Sequence, residues 1–180
     1  MTDYLSLPIG SEAPELVNAV VEIPLGSANK YEYDKTLKVF RLDRRLYSSV
    51  HFPGDYGFIP STISVDGDPL DVLILTASPS FTGCLTAVRP IGLLETIDQS
   101  IVDEKILAIA HDSPRYAEVH EYSDIYPHML KEIEHFFSVY KDLEGKRTKV
   151  VGWENAEYAR KIVMESSQRY ERAHAYKVQS

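Results

Sequence analysis

The chain reads Asp66-Gly67-Asp68-Pro69-Leu70-Asp71 and continues without a break into the apolar run Val72-Leu73-Ile74-Leu75. Three carboxylates within six residues therefore precede a predicted buried strand. Gly67 permits a positive φ and Pro69 fixes a bend, so the three side chains can converge instead of alternating across a sheet face. Such like charges repel one another unless a cation lies among them, and Mg²⁺, Mn²⁺ and Ca²⁺ prefer oxygen ligands. The segment is typical either of a solvated Asp-Gly turn or of a divalent-cation site.

The spacing of this segment excludes a calcium-binding EF-hand. An EF-hand loop requires Gly at its sixth position and Glu at its twelfth. Counted from Asp66, those positions hold Asp71 and Ala77.

A second acidic segment runs from Asp98 to Lys105, after the apolar run Ile91 to Leu94. It contains Asp98 and Asp103, five residues apart, and then Lys105. Alone, such a segment is typical of a polar hairpin loop. Two acidic loops at the ends of neighbouring strands can instead close around several cations, and a multi-metal cage of carboxylates is a common device for phosphoryl chemistry.

Complementary charges lie upstream of both acidic segments. Glu22 stands alone in an apolar run, where a carboxylate is costly unless a cation or a hydrogen-bond donor meets it. Lys30, Glu32 and Asp34 share one face of a predicted strand, so that face either contacts water or forms the wall of a charged cleft. Metal ligands and basic donors in one cleft would suit a polyanion such as a phosphate ester or a diphosphate.

Length and composition favour one globular domain over residues 1–180, because 180 residues with 44% hydrophobic and 26% charged content are ordinary for a single core. The net charge of −8 disfavours nucleic acid and anionic membranes as partners. Cys84 is the one cysteine, so no internal disulfide is expected and the cytoplasm is the expected location. The apolar runs 72–75 and 106–110 are far shorter than the roughly 18 residues of a membrane helix.

The order of secondary-structure patterns indicates an α+β fold. Short strand-like runs separated by Pro, Gly, Asp and Ser dominate residues 19–109 and predict a small antiparallel sheet or barrel. After Pro127 apolar residues recur at three- and four-residue spacing, which predicts a helix that ends before Gly145. A predicted strand over 148–153 leads into a second helix with Asn155 as its cap, and residues 171–180 lose the helical pattern and are expected to fray.

With these motifs in place, the sequence resembles the soluble, magnesium-dependent inorganic pyrophosphatases of family I, of the bacterial type. Asp66 to Val72 is similar to the diagnostic D-x-D-P-x-D stretch of that family. Further matches follow in order along nearly the whole chain: Glu22-Ile23-Pro24, Lys30-Tyr31-Glu32, Asp43-Arg44, Phe52 to Pro60, Arg89 to Gly92, Asp98 with Asp103 and Lys105, His135 to Phe137, Tyr140 to Glu144, and Gly152-Trp153.

The resemblance implies a five-stranded OB-like antiparallel β-barrel flanked by helices, two of them C-terminal. It implies hydrolysis of inorganic pyrophosphate to two orthophosphates by a water that several Mg²⁺ ions activate, and Mn²⁺ or another divalent ion could replace Mg²⁺. It also implies a homohexamer.

The resemblance assigns a role to each candidate site residue. The two activating metal ions would be held by Asp66, Asp71 and Asp103, and those arriving with the substrate in part by Asp98 and Glu22. Asp68 would accept the proton of the attacking water. The phosphate-binding residues would be Lys30, Arg44, Lys105, Tyr140 and Lys141. Tyr56 would line the site. Glu32 would form hydrogen bonds to residues that contact the metal ions or the substrate.

Two stretches depart from the family pattern. Phe52 stands where members commonly carry Tyr, so a hydroxyl group is missing there. Gln99 to Val102 stand where members are usually rich in Gly and Glu, and the stiffer Ile and Val leave the shape of that loop open.

Two other functions are weighed against hydrolysis. An OB-like module can bind nucleic acid, but it needs a basic groove with exposed stacking aromatics, and both the net charge and the acidic loops oppose this. A pseudoenzyme that binds metal without turnover would lack a catalytic acid or a phosphate donor. Asp68, Asp71, Asp103 and Lys105 are all present, so the altered loop alone supports that alternative.

Overall fold

The computed structural model describes residues 2–175. Eight strands and two helices follow one another in the order β1 to β7, α1, β8 and α2. The strands are β1 (Val17–Ile23), β2 (Asn29–Asp34), β3 (Val39–Arg45), β4 (Asp55–Ile59), β5 (Leu70–Leu75), β6 (Leu85–Asp98), β7 (Ile101–Ala110) and β8 (Thr148–Asn155). The helices are α1 (Pro127–Val139) and α2 (Ala156–Ala175).

Five strands close into a barrel in the order β1-β4-β5-β7-β6, and pairing of β6 with β1 completes the ring. Four of these pairings are antiparallel, whereas β5 and β7 are parallel. Strand β8 extends the sheet beyond β6, and β2 and β3 form a separate hairpin. The predicted α+β fold with a five-stranded OB-like barrel and two C-terminal helices is confirmed. The barrel was predicted to be antiparallel, and the parallel pairing of β5 with β7 is the one exception.

The apolar run of β5 is continuous because both faces of that strand are buried. Leu73 and Leu75 belong to a core that includes Ile133 of α1, whereas Val72 and Ile74 belong to a second core that includes Ile162 of α2. Successive side chains of a strand point to opposite faces. The two helices therefore cover opposite sides of the strand that follows the acidic segment.

The β2–β3 hairpin is attached to the barrel by an aromatic cluster. The Tyr33 ring lies 5.2 Å from the Phe40 ring and 6.4 Å from the Phe58 ring of β4, measured between centroids. Tyr4, in a short N-terminal 3-10 turn, packs edge-on against Tyr33 at 5.4 Å. This packing fixes the position of the charged residues that the hairpin carries.

The C-terminal helix is longer than the sequence pattern indicates. Asn155 caps it as predicted, since its Oδ1 accepts a hydrogen bond of 2.8 Å from the Tyr158 N–H. The helix then continues to Ala175, although the helical pattern is lost after Tyr170. The expected fraying of residues 171–180 stays a prediction, and residues 176–180 lie outside the described part. Among the described residues, no helix is long and apolar enough to cross a membrane.

The altered segment between β6 and β7 is a tight turn and not an open loop. The strands remain paired up to Asp98 and Ile101, so only Gln99 and Ser100 connect them. Their φ angles are 48° and 74°, and a two-residue hairpin of type I′ requires positive φ at both positions. Asn-Gly is the preferred pair there, because L side chains other than Asn and Asp are strained in this region.

Replacing this turn by Gln99→Asn with Ser100→Gly should stabilise the protein. Because the strain at two positive φ angles is relieved, we expect the free energy of unfolding to rise by about 1 kcal/mol. Urea denaturation would measure this as a higher midpoint at an unchanged slope. Ser113→Gly is a matched control, since Ser113 has φ −83° and should gain nothing. Equal or lower stability of the double variant would contradict the strain argument.

Candidate active site

One cavity of about 320 Å³ collects nearly all of the predicted site residues. Seven carboxylates and four lysines line it. The carboxylates belong to Glu22, Glu32, Asp66, Asp68, Asp71, Asp98 and Asp103, and the lysines are Lys30, Lys35, Lys105 and Lys141. Tyr56 and Tyr140 also line the cavity, whereas Arg44 does not.

Strand register explains how residues from distant parts of the sequence meet. The parallel pairing of β5 and β7 sets Asp71 beside Lys105. Asp103 lies two residues before Lys105 on β7, on the same face, and Asp98 ends the neighbouring strand β6. The two acidic segments therefore lie at the same edge of the barrel, as the sequence predicts.

Lys105 forms hydrogen bonds with three other side chains of the site. Its side chain is only 2% exposed, and its Nζ lies 3.0 Å from the Tyr56 hydroxyl, 3.0 Å from Asp71 Oδ2 and 2.8 Å from Asp103 Oδ1. Burial disfavours the charged ammonium, but the Tyr56 hydroxyl and the carboxylates of Asp71 and Asp103 outweigh it and raise the pKa of Lys105 well above its ordinary value. One buried cation thus holds two of the predicted metal ligands.

Asp71 is shielded from water by the same contacts. The Tyr56 hydroxyl donates a short hydrogen bond to its Oδ2. Burial raises the pKa of Asp71, while the neighbouring Lys105 opposes that rise. Burial is the larger of the two effects, so the pKa of Asp71 lies above its ordinary value.

The other three lysines of the cavity also bind carboxylates. Lys141 Nζ lies 2.5 Å from Asp98 Oδ2, and Lys35 Nζ lies 2.6 Å from Asp68 Oδ1. Lys30 forms a short ion pair with Glu32, with Asp43 Oδ2 at 3.5 Å. Each lysine of the cavity is therefore paired with an acid that the sequence predicts to act in the site.

The β2 strand contributes to the cavity differently from its sequence pattern. Lys30 and Glu32 line the cavity, as the charged-cleft alternative predicts. Asp34, predicted to share their face, instead accepts hydrogen bonds from the Thr36 and Leu37 N–H groups at 2.9 and 2.8 Å. Its carboxylate closes the β2–β3 turn and does not line the cavity.

Glu22 has the donor that its apolar surroundings require. Its Oε1 accepts a hydrogen bond of 2.7 Å from the Tyr33 N–H of the hairpin. Removal from water raises the pKa of Glu22 to about 8, and the Tyr33 hydrogen bond only partly opposes this rise. One backbone hydrogen bond is not enough to keep this carboxylate fully ionised near neutral pH.

The three carboxylates predicted to share metal ions do not converge on one point. Asp66 is exposed, and its Oδ1 accepts the Asp68 N–H at 3.0 Å, while Asp71 and Asp103 face Lys105. In the described part of the chain, no three Asp, Glu, His or Cys side chains lie close enough to hold one ion. An ion shared by Asp71 and Asp103 would compete with Lys105 for their oxygens.

The donor set nevertheless fits a hard divalent cation. The cavity has only oxygen donors among its acids, and these outnumber the lysines. Within residues 2–175, Oδ1 of Asp98 is buried without a hydrogen-bond partner. A divalent cation with oxygen ligands would supply a partner for this oxygen and positive charge for the excess of acids.

Arg44 and Phe52 lie away from the cavity surface. Arg44 Nε lies 2.8 Å from Glu144 Oε1, and its Nη1 lies 2.6 Å from Asp43 Oδ2. Phe52, only 1% exposed, packs against the rings of Tyr56 and Phe136 at 5.5 and 4.8 Å. The Phe52 side chain therefore belongs to the aromatic core and not to the cavity lining.

Lys35 is the charged cavity residue to which sequence analysis assigns no role. Strand β2 ends at Asp34. The rule that every second strand residue shares a face, which identifies Lys30 and Glu32, therefore does not apply to Lys35. The charged segment Lys30 to Lys35 is a visible signal, but only the path of the hairpin turn brings Lys35 to Asp68.

Comparison with known proteins identifies the family. The family model described as Inorganic pyrophosphatase matches residues 19–171. An inorganic pyrophosphatase of Nostoc sp. is 50% identical over 157 residues, which cover 87% of this chain and 93% of that protein. One of Geobacillus stearothermophilus is 46% identical over 156 residues, with 87% and 94% covered.

Solved structures agree with this match. The crystal structure of inorganic pyrophosphatase from Thermus thermophilus superposes with a TM-score of 0.93 at 42% identity, and it covers 94% of this chain and 99% of that one. The family-model match, the sequence relatives and this superposition all agree with the family I resemblance of the motifs. The chain therefore belongs to the family of inorganic pyrophosphatases, the hydrolases that split pyrophosphate into phosphate.

Proposed function

We propose that this chain hydrolyses inorganic pyrophosphate to two orthophosphates with several Mg²⁺ ions as its cofactors, with Mn²⁺ or another divalent ion as possible substitutes. The observation that carries the proposal is a single cavity in which acids outnumber lysines and every lysine is paired with an acid. A site that must bind both cations and a polyanion needs both kinds of group. An acidic cavity does not support the nucleic-acid alternative.

The proposed metal ligands are the carboxylates of the two acidic segments and β1. Asp66, Asp71 and Asp103 would hold the activating ions, and Asp98 and Glu22 would take part in holding those that accompany the substrate. Bound Mg²⁺ would supply Lewis acidity, which lowers the pKa of a coordinated water and neutralises phosphate charge. The assignment of Asp98 is supported by its buried Oδ1, which accepts no hydrogen bond from any described residue.

Asp68 is the proposed proton acceptor for the attacking water. Its carboxylate lines the cavity, is 68% exposed and is therefore reachable by a solvent molecule. It lies between Asp66 and Asp71 in the chain, and all three line the same cavity, which supports its role toward a water held there.

Phosphate oxygens would be bound by Lys30, Lys105, Lys141 and Tyr140. Lys105 and Lys141 would have free ammonium groups if their carboxylate partners held metal, whereas Lys30 would reach phosphate beside its partner Glu32. These groups would donate hydrogen bonds to the developing charge on phosphate. The Tyr56 hydroxyl contacts both Asp71 and Lys105 and would keep them in place. Glu32 would orient Lys30 through their ion pair. Arg44 would bind phosphate only after leaving Glu144.

The proposal extends to a homohexamer in the cytoplasm. Support comes from the family resemblance and from Cys84, a free and half-buried thiol that suits a reducing compartment. Native mass spectrometry would report the number of chains in the assembly.

The direct test measures phosphate released from pyrophosphate. With Mg²⁺ we expect rapid release, and with a chelator in place of Mg²⁺ we expect none, because the carboxylates would then keep their lysine partners. Release that persists in the chelator, or no release with any divalent ion, would contradict the proposal.

Asp71→Asn should weaken metal binding. Removing one anionic ligand from a site short of positive charge should lower Mg²⁺ affinity at least about tenfold, as calorimetric titration without substrate would measure. Asp112→Asn is the matched control, because Asp112 is exposed and outside the cavity lining. Equal affinities for the two variants would show that Asp71 is not a ligand.

Asp68→Asn should separate chemistry from metal binding. Loss of the proton acceptor should reduce kcat by about 10² or more, whereas Mg²⁺ affinity should stay within about threefold of the parent protein. Steady-state phosphate release and calorimetry would measure the two quantities. Undiminished turnover would remove Asp68 from the role of base.

A further inference from the structure

The side chain of Lys35 joins two parts of the chain across the cavity. Its Nζ lies 2.6 Å from Oδ1 of Asp68, a residue 33 positions further along the sequence. Both residues line the cavity. Lys35 belongs to the β2–β3 turn, and Asp68 to the loop that leads into β5. The ion pair therefore connects the hairpin tip to the acidic loop.

The loop around Asp68 fixes its backbone but not its carboxylate. The Ser64 N–H donates to the Asp68 carbonyl oxygen at 2.7 Å, and the Asp68 N–H donates to Asp66 Oδ1 at 3.0 Å. Between residues 2 and 175, Lys35 is the one hydrogen-bond partner of the Asp68 carboxylate. That carboxylate is 68% exposed, so packing does not orient it either.

Lys35 itself is presented by a well-ordered turn. The carboxylate of Asp34 accepts the Thr36 and Leu37 N–H groups, and the Asp34 carbonyl oxygen accepts the Lys38 N–H at 2.7 Å. Backbone hydrogen bonds to the Asp34 carboxylate lower its pKa. An Asp at this position stabilises a turn by bonding to the residues that follow it. The start of the Lys35 side chain is therefore held in place.

We propose that Lys35 is a positioning residue for Asp68, which it holds at the mouth of the cavity in the orientation needed to accept a proton. The inference rests on the proposed function, because it takes Asp68 as the base. It adds a residue that neither the sequence motifs nor the family resemblance assigns to the site.

The size of the effect follows from the exposure of the pair. Exposed ion pairs contribute up to about 1 kcal/mol, which corresponds to about fivefold in rate. A positioning role predicts that this factor appears in kcat. A mere contribution of positive charge near an anionic substrate would appear in KM instead.

The test compares Lys35→Met with Lys38→Met. Lys38 belongs to the same turn and has similar exposure, but its Nζ pairs with Asp3 Oδ2 at 3.2 Å and it does not line the cavity. We expect Lys35→Met to lower kcat three- to fivefold with KM within twofold, Lys35→Arg to restore most of kcat, and Lys38→Met to change neither. Equal kcat values for Lys35→Met and Lys38→Met, or a change in KM alone, would overturn the inference.

A double-mutant cycle shows whether Lys35 acts through Asp68. In the Asp68→Asn background, Lys35→Met should cost no further kcat, because the group that it positions is already absent. Losses that multiply would overturn the inference.

Side-chain NMR of the metal-free protein provides a readout independent of activity. The three-bond couplings of Asp68 that report its χ1 angle should indicate one rotamer in Lys38→Met and averaging over rotamers in Lys35→Met, and equal couplings in the two variants would overturn the inference. If the parent protein releases no phosphate, the proposed function fails, while the coupling comparison still decides whether Lys35 orients the Asp68 carboxylate.

Discussion

The buried ammonium group of Lys105 is the interaction on which the site depends. Burying a charged lysine is strongly unfavourable unless anions and hydrogen-bond acceptors surround it, and Asp71, Asp103 and Tyr56 do so. Their meeting requires the parallel register of β5 and β7, which sets Asp71 beside Lys105. The charged cavity therefore depends on the strand register of the barrel, because a slip by one residue would move these side chains to the opposite face of the sheet.

The same pairing of a lysine with a carboxylate recurs around the cavity, and it explains how one space can serve cations and a polyanion. The lysines neutralise part of the acidic charge, which lowers the repulsion among seven carboxylates. Because the acids remain in excess of the lysines, the cavity is still short of positive charge. A bound divalent cation would satisfy the acids and free ammonium groups of the chain for phosphate oxygens.

Separate parts of the fold each contribute one section of the site. The barrel strands carry Asp71, Asp98 and Asp103, and the segment after α1 carries Lys141. The β2–β3 hairpin brings Lys30, Glu32 and Lys35, and it is held to the barrel by the Tyr33 ring and by the Tyr33 N–H on Glu22. A structural contact of the hairpin is therefore also a contact of the site, which is why a turn residue such as Lys35 can affect Asp68.

Local sequence patterns are enough to predict most residues of the candidate site and the elements on which they lie. Asp66 to Asp71 before an apolar run, Asp98 with Asp103, the strand-to-helix order and the Asn155 cap all depend on residues close together in the chain, and local patterns report such relations directly. Contacts between distant residues depend on the three-dimensional fold. It paired β5 with β7 in parallel, brought Lys35 to Asp68, and drew Arg44 to Glu144, 100 residues away. A two-residue alternation tells which face a side chain occupies, but the partner across that face follows from barrel closure and burial, which no local pattern contains.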